Sequence, residues 1–126
     1  MTFTAFRIPV LALALMTFTG AAYAQQNPAQ LAALAREART AAEHADVAKR
    51  FRLQAEELDK KAAAHEATAA RLANNAPAIA HKWPSMAPQG AKIAKEQAME
   101  ARRAAHESRE LASYHHGLAI EVLAGQ

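Results

Sequence analysis

The sequence predicts an all-α fold: a long antiparallel helical hairpin, coiled-coil-like, closed along an alanine-rich seam. Three observations predict it. Alanine, the strongest intrinsic helix former, supplies 30 of the residues that follow Ala24. Between Ala29 and Ala76 there is neither Pro nor Gly, whereas Pro77, Pro84 and Pro88 crowd one short stretch, which divides the chain into helix, connector and helix. Finally, small residues recur every seventh position: Ala41, Ala48, Ala55, Ala62 and Ala69 in the first half, and Ala91, Ala98, Ala105, Ala112 and Ala119 in the second.

The amino-terminal segment has the pattern of a cleavable export signal, residues 1–24. Arg7 closes a short charged region, an uncharged stretch Ile8 to Gly20 follows, and Ala22-Tyr23-Ala24 offers a small-x-small cleavage site. The uncharged stretch is shorter than the roughly 20 residues a membrane-spanning helix needs. The processed chain, residues 25–126, is long enough for one domain, and it is expected in the periplasm or outside the cell, with no integral membrane span. Its 14 basic and 12 acidic residues are interspersed, a pattern that does not point to nucleic acid. There is no Cys, so a small exported domain of this kind must be held by helix packing, self-association or a ligand rather than by disulfides.

The first helix is expected over about 28–74. Asn27 can cap it and Pro28 suits its first position, while Asn74-Asn75 followed by Pro77 marks its end. A Pro-rich connector over about 75–88 reverses the chain, and a second helix covers about 89–124. In the first helix, His44, Phe51, Leu58, His65 and Leu72 alternate with the alanines in a 3-4 seam; in the second, Ala101, Ser108, Leu111, His115, Leu118 and Val122 flank them. Such a repeat implies a left-handed supercoil. Asp46/Arg50, Glu56/Lys60 and Glu57/Lys61 are acid-before-base pairs four residues apart, the pattern of a solvated face. An alanine seam buries little apolar area, so a lone hairpin would be marginal at about 25 cal/mol per Å². Association of two hairpins into a four-helix bundle, or docking on an envelope protein, is expected.

Six histidines and the methionines Met86 and Met99 are the candidate ligands for a metal; imidazole suits copper, zinc and nickel, and thioether suits copper. With the turn near residues 81–82, facing residues have numbers that sum to about 163. His44 then falls about one turn from His115 and His116, and His65 beside Met99. Paired histidines across two helices are how bundle metal sites are built.

The connector reads His81-Lys82-Trp83-Pro84-Ser85-Met86. Its Trp-Pro-x-Met portion resembles the motif of the small periplasmic copper chaperones of the Cus efflux system. That resemblance implies Trp83 as a ring capping Cu(I) and Met86 as a thioether ligand; His81 is a nearby imidazole. The likeness is local, since that family folds as a β-barrel and its second Met corresponds to Pro88 here. The processed chain also resembles small exported bacterial helical proteins with Ala/His/Glu heptads, which implies an envelope location.

No catalytic motif is present. His65-Glu66 and His106-Glu107 would need His at 69 and 110 to form a zinc-protease motif, and those residues are Ala69 and Glu110. The sequence thus favours a non-enzymatic helical interaction protein, with periplasmic copper binding or buffering as the alternative.

Overall fold

In the computed structural model, residues 27–82, 84 and 87–126 are described. The segment expected to be an export signal, residues 1–24, lies outside them, as do Trp83 and Met86. Among the described residues all regular structure is helical: α1 spans Pro28–Glu37, α2 Ala41–Lys82 and α3 Ala87–Ala124. At 1.5 Å per residue, α2 and α3 extend about 63 and 57 Å. They pack antiparallel along their length, as the cross-helix contacts of Glu66 with Arg102 and of His44 with His115 show.

The seam is the expected one. Ala48, Ala55, Ala62 and Ala69 of α2 and Ala98, Ala105, Ala112 and Ala119 of α3 are buried, each at most 5% exposed. Methyl groups at alternate seam layers let the two backbones approach closely. Near the closed end Gly90 extends this logic, because a Cβ there would lie 3.3 Å from Leu72 Cδ1. Ser108 is buried in the seam, and its hydroxyl donates to the Ala104 carbonyl at 2.9 Å, so it brings no unsatisfied polar group inside.

The two flanks of the seam differ. On one, Arg102 bonds Glu66 and Arg109 bonds Asp59. On the other, Ala104, Leu111 and Leu118 repeat every seven residues along α3. Of the surface pairs expected along α2, Asp46 with Arg50 forms at 2.6 Å, whereas Lys60 pairs with Glu57 rather than Glu56.

Two boundaries depart from the sequence expectation. The helix expected over 28–74 is broken at residues 38–40, where Ala38 takes extended backbone angles of −57° and 129°. The cause is a capping box. Thr40 Oγ1 accepts from the Glu43 amide at 3.2 Å, and the Glu43 carboxylate accepts from the Thr40 and Arg39 amides at 2.9 and 2.8 Å. These bonds offer α2 a fresh start that competes with helix continuation. At the other end α2 runs through Pro77 to Lys82 and α3 begins at Ala87, so both ends of the expected connector of 75–88 are helical. Proline removes one backbone hydrogen bond, but the alanines at 76, 78 and 80 favour helix on both sides of it.

The break at 38–40 lets α1 fold back on the open end of the hairpin. Leu31 is 2% exposed and joins Ala38, Val47, Phe51 and Ala112 in the apolar cluster there, with Ala35 against it. Asn27 caps α1 by accepting from the Ala29 amide at 3.1 Å.

Candidate functional site

The chemistry-bearing groups concentrate at this open end. His44 sits in the first turn of α2, placed by the Thr40–Glu43 cap one residue before it. His115 is a seam residue of α3, 71 positions away. Both rings turn inward, and their Nδ1 atoms lie 3.0 Å apart. His44 is 8% and His115 4% exposed. The ring centroids are 5.3 Å apart with planes tilted by 32°. Phe51 stacks on His115 at 6.0 Å, and Tyr114 meets it edge-on at 5.4 Å.

At that separation one Nδ1 carries a hydrogen and donates while the other accepts. The pair thus satisfies two buried nitrogens with one proton. Burial holds the His115 pKa below the usual 6.5, and the neighbouring His44 pushes in the same direction. Nearby carboxylates are engaged elsewhere: Glu43 on the backbone amides of the cap, which lower its pKa, and Asp46 on Arg50.

The imidazole pair forms the floor of an open cleft of about 500 Å³ between α1 and α3. One wall is the ridge Leu111, Tyr114 and Leu118; the other carries Ala32, Ala35, Arg36 and Arg39. Leu111 is 44% and Tyr114 61% exposed. Leu111, which the heptads place beside the seam, therefore faces this cleft.

Of the residues singled out from the sequence, His44 and His115 are brought together. His116, one residue on, is rotated to the surface, and His81 is exposed at the end of α2. Trp83 and Met86 lie outside the described residues. His65 is half-buried, whereas Met99 is 67% exposed, because the seam position is taken by its neighbour Ala98. His106 is on the surface beside Glu110. No group of three or more His, Cys, Asp or Glu side chains converges among the described residues. Phe51, expected as a seam residue, and Tyr114 also border the pair, and Arg36 and Arg39, which the sequence does not mark, join them because the elbow at 38–40 brings α1 over the histidines.

The chain matches no known protein family, curated protein or solved structure. No described helix is long and apolar enough to cross a membrane.

Proposed function

We propose that this is an exported, non-enzymatic helical interaction protein of the cell envelope, and that it works by pairing with a second copy of itself through the α1–α3 cleft. Export is supported by Arg7, the uncharged stretch Ile8 to Gly20 and the Ala22-Tyr23-Ala24 site. The interaction reading is carried by one observation: the α3 ridge of exposed Leu111 and Tyr114 with half-buried Leu118. A helix patterned for a two-stranded seam needs apolar residues only at the two seam positions, whereas an apolar third position suits a helix with neighbours on two sides. Over this ridge α3 has the second pattern, and α1 fills that side only in part.

Charge argues for a second copy as the occupant. The ridge is bounded along α3 by Glu107 and Glu121, and the facing α1 wall carries Arg36 and Arg39. A partner's α3 ridge seated in the cleft brings its acids to these arginines, and two-fold symmetry makes the match twice. The surface is small, so a transient dimer in the micromolar range is expected.

Light scattering on residues 25–126 tests this reading. The native chain should approach dimer mass at about a hundred micromolar, and Tyr114→Glu should remain a monomer with unchanged helical circular dichroism. A native chain that stays monomeric at that concentration overturns it. Mass analysis of the chain recovered after expression tests export directly, with Gln25 as the expected first residue.

A further inference from the structure

We propose that His44 and His115 form a two-coordinate site for a monovalent, closed-shell coinage-metal cation, Cu(I) or its analogue Ag(I), at the floor of the cleft.

The geometry supplies two donors and no more. Two imidazole nitrogens from different helices converge on one point at 3.0 Å separation. No third His, Asp or Glu joins them among the described residues, and the chain has no Cys. Structural Zn(II) sites take four protein ligands and Ca(II) six or more oxygens, so the site is poor for either. Cu(I) and Ag(I) are satisfied by two nitrogens in line, and imidazole is an accepted copper ligand.

The surroundings select in the same direction. Phe51 stacks on one face of the His115 ring, an apolar neighbour that penalises a doubly charged ion more than a singly charged one. Arg36 and Arg39 on the cleft wall repel a divalent ion with twice the Coulomb energy of a monovalent one. The cleft is open to solvent, so an ion can reach the nitrogens without unfolding the hairpin.

Loading needs a small rearrangement and no net proton release. Two metal–nitrogen bonds of about 2 Å in line place the nitrogens about 4 Å apart, so the rings must part by about 1 Å. The ring that now donates through Nδ1 shifts its hydrogen to Nε2, and both Nδ1 lone pairs then face the ion. Both imidazoles come from one chain, so the site does not depend on the pairing of copies proposed above, and either idea can fail alone.

The test uses residues 25–126 labelled with 15N. Ag(I) is added in air and Cu(I) anaerobically, with a colorimetric Cu(I) chelator as competitor. One equivalent should bind, with both Nδ1 resonances of His44 and His115 moving, and with Nε2 moving only in the one ring that takes up the shifted hydrogen. His44→Gln and His115→Gln, each checked for helical circular dichroism, should lower affinity at least about tenfold, whereas His116→Gln and Met86→Leu should not. Unmoved Nδ1 resonances in the native chain overturn the proposal whatever the variants do. So does binding that survives loss of both histidines, or Zn(II) binding as tight as Cu(I).

Discussion

Arg102 donates through two nitrogens to both carboxylate oxygens of Glu66, at 2.7 and 2.9 Å, across 36 residues of sequence. A planar guanidinium on a planar carboxylate fixes orientation as well as distance. One layer further, Arg109 reaches Asp59 through a single nitrogen, Nη2 donating to Oδ2. An alanine seam tolerates sliding, because methyl groups resemble one another; these two bridges set which layer meets which.

The Glu66 bridge has a pH signature. Its carboxyl pKa is lowered from the usual 4.5, chiefly by the hydrogen bonds from Arg102. A carboxyl depressed in the folded state contributes stability above its unfolded value, and that contribution is lost as pH falls through the folded value. NMR titration should place the Glu66 midpoint below 4.5, and Arg102→Gln should return it towards 4.5. The pair is exposed, so the change in thermal stability at pH 7 should be small.

The elbow between α1 and α2 depends on Thr40. Its hydroxyl caps α2 while Glu43 reaches back to two amides. Thr40→Ala should cost about 1 kcal/mol. Hydrogen exchange should show the loss locally, with faster exchange at the Glu43 amide and unchanged protection in the seam near Ala62.

Leu31 holds α1 to the hairpin and is the largest fully buried side chain among the described residues. Leu31→Ala should cost about 2 to 3 kcal/mol, and the loss should fall on α1. Its amides should exchange freely while those of α2 beyond Phe51 keep their protection. Equal loss of protection throughout would mean that α1 and the hairpin unfold as one unit.

Two helical glycines should respond differently to alanine. Around Gly117 a Cβ meets nothing within 4 Å, whereas at Gly90 it meets Leu72 at 3.3 Å. Gly117→Ala should stabilise by about 0.5 to 1 kcal/mol, through the helix propensity gained. Gly90→Ala should gain less, because Leu72 must move. Urea unfolding of the two variants side by side checks the order.

The hairpin, its seam and the approach of His44 to His115 were legible because a seven-residue period fixes which face of a helix is inward. A sum rule for facing residues needed only the turn position to about one turn. Met99 shows where that accuracy ends: one residue of rotation, about 100° on a helix, separates it from the buried Ala98. The elbow at 38–40 carried its own signal in Thr40-Ala41-Ala42-Glu43, a capping box, but the unbroken alanine content around it outweighed the signal. At Pro77 the balance went the other way. Proline reads as a stop, yet the surrounding alanines carry α2 one and a half turns beyond it. The cleft was the least legible feature, because it exists only once α1 folds back, and no periodicity encodes that.

We propose that a second copy covers the Leu111, Tyr114 and Leu118 ridge. The concentration dependence of thermal unfolding tests it most directly, since association with the native state raises the midpoint by mass action. Between about 2 and 200 µM, the midpoint of the native chain should climb by several degrees and that of Tyr114→Glu should stay fixed. A native midpoint that does not move over this range would contradict the claim.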